Sequence, residues 1–92
     1  MAKRLVIEGR VQGVGYRAFF AEQATALGLC GWVRNCRDGS VEACVDGEAE
    51  AIEAIILWAK RCPPAAQVSN IAIEDVAAQT PLDGTFKVLL ME

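Results

Sequence analysis

The stretch Leu5 to Leu27, LVIEGRVQGVGYRAFFAEQATAL, changes its period halfway along. Up to Val11 it reads as an extended segment. Leu5 and Ile7 share one face and alternate with Val6, Glu8 and Arg10 on the other, which predicts a strand over Lys3 to Val11. From Tyr16 the spacing becomes helical: Tyr16, Phe20, Ala24 and Leu27 form a stripe flanked by Phe19, so a helix is expected from Tyr16 to Leu27. Gly28 stands where a left-handed residue ends a helix, and Leu29 can fold back over the last turn. Between the two periods lie Gln12, Gly13, Val14 and Gly15, a loop that runs directly into a helix start.

Working outward, LCGWVRNC (Leu29 to Cys36) predicts a second strand, and RDGS offers Asp-Gly for a tight reversal into VEACVD, the third. A second helix is expected from Glu48 to Arg61, where Ile52, Ile55, Ile56 and Ala59 make an apolar stripe. Glu48, Glu50 and Glu53 come early in it and Lys60 and Arg61 late, as the helix dipole favours, and Pro63 and Pro64 stop it. Residues Gln67 to Ala77 predict a fourth strand with Ile71 and Ile73 alternating, and after the turn-rich TPLDG a short last strand lies in TFKVLLM. The expected fold is therefore α+β: a ferredoxin-like βαββαβ sandwich whose antiparallel sheet carries a short extra C-terminal strand and two helices on one face. In that arrangement strands one and two run parallel on either side of strand three, so their C-terminal ends open together about 10 Å apart. The Gln12 to Arg17 loop and Asn35 would face a shared space there.

Composition narrows the classes. With 92 residues, 53% of them hydrophobic, a single domain over 1–92 is expected. The longest strongly apolar run, Ala54 to Ala59, is far shorter than a membrane span, which needs about 20 residues. MAKR followed by three apolar residues and Glu8 is too short for a secretory signal, so a cytoplasmic location is expected. The net charge of −3 argues against a general nucleic-acid binder. Within residues 1–17, however, Lys3, Arg4, Arg10 and Arg17 face only Glu8, a segment that would draw a small anion. The four cysteines, Cys30, Cys36, Cys44 and Cys62, form no C-x-x-C pair and the chain has no histidine, so no metal site is expected and the thiols read as reduced.

A loop turning into a helix leaves N–H groups without helical acceptors, in the positive end of the helix dipole. Gly13 and Gly15 remove side chains that would keep a ligand from those donors. Arg17, in the first helical turn, opposes the dipole and offers a planar fork suited to two phosphate oxygens. No G-K-[ST] follows, so this is not a P-loop. Asn35 can accept from a water and donate to an oxyanion at once. The same residues also suit plain turn geometry at the glycines and a hairpin cap at Asn35.

Ile7 to Arg17, IEGRVQGVGYR, and Gly31 to Gly47, GWVRNCRDGSVEACVDG, resemble the two signature motifs of the acylphosphatase family, in order and at a fitting separation. The likeness spans nearly the whole chain and weakens after Pro64. Tyr16 stands where the family usually has phenylalanine, Cys62-Pro63 where Gly-Pro is common, and the tail FKVLLME lacks the usual closing basic or tyrosine residue. The resemblance implies metal-independent hydrolysis of the carboxyl-phosphate bond of acyl phosphates without a covalent intermediate or cofactor. It implies that Arg17 binds the phosphoryl group with backbone N–H groups of Gln12, Gly13, Val14, Gly15 and Tyr16, and that Asn35 orients the attacking water. The absence of histidine suits this chemistry, since carboxylate is a good leaving group and the phosphate itself can take the proton.

Cys36 has no arginine six residues on, the spacing of cysteine phosphatases, and reads as a bystander. Trp32 and Trp58 read as packing, and Arg10 as solvated surface. The competing reading is a non-catalytic phosphate- or carbamoyl-phosphate-binding domain of the same shape. An RNA-binding βαββαβ module fits less well, because SVEACVD offers no aromatic for stacking bases. The expected partners are an acyl phosphate and inorganic phosphate, with no nucleic acid, no membrane and a monomeric state.

Overall fold

In the computed structural model, which describes residues 2–61, 66–76 and 86–89, seven elements follow in order. They are β1 (Ala2–Arg10), α1 (Tyr16–Ala26), β2 (Cys30–Asn35), β3 (Val41–Asp46), α2 (Ala49–Arg61), β4 (Gln67–Val76) and β5 (Phe86–Val88). The sheet order is β4-β1-β3-β2-β5. Both β1 and β2 pair antiparallel with β3, so they run parallel to each other and their C-terminal ends share one edge, as expected. The short extra C-terminal strand is β5, which pairs parallel with β2, Gly31 opposite Phe86 and Val33 opposite Val88, making a mixed sheet. The expected TPLDG turn and the Cys62-Pro63-Pro64 stop lie outside the described residues.

Both helices pack on one face of the sheet through a single core containing Leu5, Ile7, Tyr16, Phe20, Val33 and Ile55. Tyr16, Phe20, Trp58 and Phe86 form an aromatic cluster, with Trp58 5.9 Å from Phe20 edge to face. At the end of α1 the N–H of Gly28 bonds the Thr25 carbonyl at 3.0 Å and that of Leu29 bonds the Ala24 carbonyl at 2.9 Å. This is a Schellman cap, with Leu29 buried behind it as the sequence implied. Phe19 does not join the core stripe: it is 49% exposed, because one step along a helix turns a side chain about 100° from its neighbour Phe20.

The central strand β3 is buried at every position. Val41, Ala43 and Val45 face the helices. Glu42, Cys44 and Asp46 point the other way and are still only 5%, 3% and 8% exposed. Arg34 Nε donates to Glu42 Oε1 at 2.8 Å, while Arg4 donates through Nε to Glu42 Oε2 and through Nη1 to Glu74 at 3.1 Å. Arg34 also lies 5.0 Å from the centre of the Trp32 ring, so long cationic side chains roof this face. Burial pushes the Glu42 carboxyl up, but the bonds from Arg34 and Arg4 outweigh it and hold the group below the usual carboxylate range.

The β2-β3 reversal falls at RDGS as expected, as a three-residue loop, Arg37-Asp38-Gly39. The Cys36 N–H bonds the Ser40 carbonyl at 2.8 Å and the Gly39 N–H bonds the Cys36 carbonyl at 3.1 Å. Only Gly39 takes positive φ, 95°. Asp38 keeps negative φ and uses Oδ1 to accept from the Ser40 N–H (2.9 Å) and hydroxyl (2.6 Å), bonds that lower its pKa, with the hydroxyl the larger cause.

Candidate active site

The loop between β1 and α1 has the backbone of an anion nest. Gly13 (φ 77°) and Gly15 (φ 79°) are positive, while Gln12, Val14 and Tyr16 are not, since no described residue other than glycine has positive φ. Alternating hand along successive residues lets their N–H groups converge on one concavity. There is open space at Gly13, with no atom within 4 Å of where a Cβ would stand. Gly15 is the N-cap of α1 and supplies no side-chain cap, and the first turn carries no acid. The first bond of the helix ladder runs from the Phe19 N–H to the Gly15 carbonyl at 3.1 Å, so the N–H groups before it have no acceptor within α1.

Two sequence-predicted residues show side-chain roles that the sequence did not reveal. Tyr16 is buried, and its hydroxyl donates to the Ala59 carbonyl at 2.8 Å, serving an acceptor in the last turn of α2. Only its main chain is left to line the loop. Gln12 turns its amide away from the loop and donates from Nε2 to the Cys36 carbonyl (2.7 Å) and the Ser40 carbonyl (2.9 Å). Val14 packs against the core and so anchors the loop's middle.

Arg17 is partly exposed, and its Nη1 donates to the Leu89 carbonyl at 2.8 Å. The Leu89 N–H in turn bonds the Val33 carbonyl of β2 at 2.8 Å. Asn35, two residues after Val33 and therefore on the same helix-side face of β2, is paired with buried Val41. The segment Gln12 to Arg17 is thus tied to the chain on both sides of Asn35: at Val33 of β2 through Leu89, and at Cys36, just past the end of β2, through Gln12. Asn35 Oδ1 is buried and has no hydrogen-bond partner among the described residues. Since the turn is closed by Cys36, Gly39, Ser40 and the Asp38 carboxylate, this oxygen takes no part in capping it. A buried acceptor left open in this way costs stability unless something absent from the structure fills it.

The tail was the region where the sequence departed furthest from its resemblance, yet it supplies the carbonyl that holds Arg17. No sequence signal marks that role, because a main-chain oxygen is offered by any residue. A groove of about 450 Å³ lined by Lys60, Val68, Ser69, Asn70, Ile71 and Ile73 runs beside β4, at the sheet edge opposite β5, and includes none of these residues. Among the described residues no cluster of His, Cys, Asp or Glu is placed to hold a metal. Cys30, Cys36 and Cys44 are free thiols, and burial raises that of Cys44, with Asp46 and Glu42 adding to it. No helix among the described residues is long and apolar enough to cross a membrane.

Comparison with known proteins points the same way. The family model described as Acylphosphatase matches residues 3–88. A curated acylphosphatase of Azoarcus sp. (strain BH72) is 55% identical over 83 residues, covering 90% of this chain and 82% of the relative. The crystal structure of acylphosphatase from Bacillus subtilis superposes with a TM-score of 0.90 at 31% identity, over 96% of this chain and 97% of that one. Full-length HypF, solved in its phosphate- and nucleotide-bound form, contains a similar unit: TM-score 0.88 at 32% identity, over 98% of this chain but 12% of HypF.

Proposed function

The chain belongs to the acylphosphatase family, enzymes that hydrolyse acyl phosphates, and on that premise we propose that its phosphate-binding loop is Gln12 to Arg17 and that Asn35 orients the water. The N–H groups of Gln12 to Tyr16 and the Arg17 guanidinium bind the phosphoryl oxygens and neutralise their charge. Asn35 Oδ1 accepts a hydrogen from the attacking water and aims its oxygen at phosphorus. The new bond joins the water oxygen to phosphorus, and the bond from phosphorus to the acyl oxygen breaks. Its electron pair leaves with the carboxylate, and the water's proton passes to a phosphoryl oxygen. The reading uses no metal or other cofactor. The observation that carries it is the buried, unpartnered Asn35 Oδ1, whose neighbour Cys36 is hydrogen-bonded to Gln12 at the start of the loop that leads into α1.

The test is benzoyl phosphate hydrolysis with chelator present, by the wild type, Arg17→Ala and Asn35→Ala. Arg17→Ala is expected to weaken inorganic phosphate binding by about 1.5–3 kcal/mol, the scale of a lost charge-assisted bond. Asn35→Ala should mainly lower turnover, and normal turnover in that variant would remove its water-orienting role. The second reading, a phosphate- or carbamoyl-phosphate-binding domain without catalysis, draws on the likeness to a small part of HypF. Phosphate binding by the wild type without hydrolysis would select it. The reading further takes residues 1–92 as one domain acting as a cytoplasmic monomer, with no nucleic-acid partner. Mass by size-exclusion chromatography with light scattering tests the oligomeric part.

A further inference from the structure

We propose that the Gln12 side chain is a positioning residue that fixes the distance between the phosphate nest and Asn35, an inference that rests on the water-orienting reading above. The proposed nest begins at Gln12 itself, and Asn35 immediately precedes Cys36, so a link from the Gln12 side chain to Cys36 spans the two halves of the site. Both hydrogens of the Gln12 amide are committed, one to the Cys36 carbonyl at 2.7 Å and one to the Ser40 carbonyl at 2.9 Å. None remains for a ligand, and any contact of Gln12 with phosphate is through its main chain.

The two carbonyls do not need Gln12 to form the turn. The Cys36 carbonyl already accepts from Gly39, and the Ser40 carbonyl from Cys36. The amide is therefore a cross-link added to a hairpin that is already closed, and what it holds is the position of that hairpin relative to the loop. The matching tie on the other side of Asn35, from Arg17 to Leu89, ends on a main-chain carbonyl, so Gln12 is the tie whose bonds to the β2-β3 turn substitution can remove without touching Arg17. In-line attack is steep in geometry: a misplacement of about 1 Å can cost about 100-fold in rate. Releasing Gln12 should therefore slow the chemical step while leaving phosphate binding nearly intact.

The experiment is a double-mutant cycle on the full chain. Gln12→Ala and Gln12→Met, the second keeping length and volume but donating nothing, are made in the wild type and in Asn35→Ala. For each, kcat on benzoyl phosphate, the inhibition constant of inorganic phosphate and a thermal melt are measured. In the wild-type background kcat should fall about 10- to 100-fold and the phosphate constant should move less than about 3-fold, because the N–H groups and Arg17 remain. In the Asn35→Ala background the same substitutions should cost less than about 2-fold more, since nothing is left to position.

An equal loss in both backgrounds, a rise in the phosphate constant that matches the fall in rate, or unchanged kcat would each overturn the inference. So would unfolding of both Gln12 variants, which would make the amide a purely structural tie. Normal turnover in Asn35→Ala alone would overturn the water-orienting reading and this inference with it. A sensitive Asn35 with an indifferent Gln12 would overturn only this one.

Discussion

The two faces of the sheet bury one central strand by different physics. Toward the helices β3 offers Val41, Ala43 and Val45 to a close-packed apolar core. Toward the other side it offers Glu42, Cys44 and Asp46, and there Arg4 and Arg34 close over Glu42 with hydrogen bonds. Apolar burial needs only contact, whereas a buried carboxylate needs partners that replace its water. The candidate site belongs entirely to the first face: Asn35 shares it with Val33, and Arg17 and the nest reach it from α1. The comparison teaches that the face holding the apolar core also holds the candidate site, while the other is sealed by ion-paired side chains.

The largest break should come from the core. Phe20→Ala removes a fully buried ring that touches Tyr16, Trp58 and Phe86, and should lower the free energy of unfolding in urea by about 3–5 kcal/mol. A loss of less than about 1 kcal/mol would mean that the aromatic cluster repacks freely.

Glu42→Gln should cost about 1–2 kcal/mol, at the lower end for charged hydrogen bonds because Arg4 and Arg34 are partly exposed. Turnover should stay within about 2-fold, since the residue lies across the sheet from the site. Its pH dependence follows from the lowered pKa. The folded state binds this proton more weakly than the unfolded chain, so the contribution is complete above the ordinary glutamate value, about 4.3, and is lost as pH falls below it. Urea melts at neutral pH and near pH 3.5 should show the gap between wild type and Glu42→Gln narrowing in acid. A gap that widens there would reverse the sign and sink the assignment.

The smallest expected effect tests the border between core and site. Tyr16→Phe should cost about 1 kcal/mol, the net worth of the bond to Ala59 at the end of α2, and leave turnover unchanged, because the loop uses only the main chain of this residue. A fall in kcat without a fall in stability would place the hydroxyl in the chemistry instead.

Much of this arrangement was legible in the sequence because it is local. The change of period at Tyr16, the Gly28 cap, the glycines at Gly13 and Gly15 and the order of elements follow from residues a few positions apart. The parallel direction of β1 and β2 on either side of β3 then followed from handedness, and with it the opening of their C-terminal ends on one edge. Where expectations differed, a distant partner or a packing detail was responsible. Phe19 obeyed helical geometry more strictly than a loose stripe, and Asp38 spent its carboxylate on Ser40 within the turn.

By itself the sequence determined the strands, the helices, the left-handed glycines before α1 and the placement of a guanidinium at a helix start, since backbone preference and apolar period are properties of neighbouring residues. Only the tertiary structure decided that Gln12 would grip Cys36 and Ser40, that a carbonyl 72 residues away would hold Arg17, and that VEACVD would be sealed on both faces. Those outcomes depend on which main-chain acceptors and which long side chains arrive from remote strands, and neither carbonyl oxygens nor the reach of an arginine leaves a periodic trace in the chain.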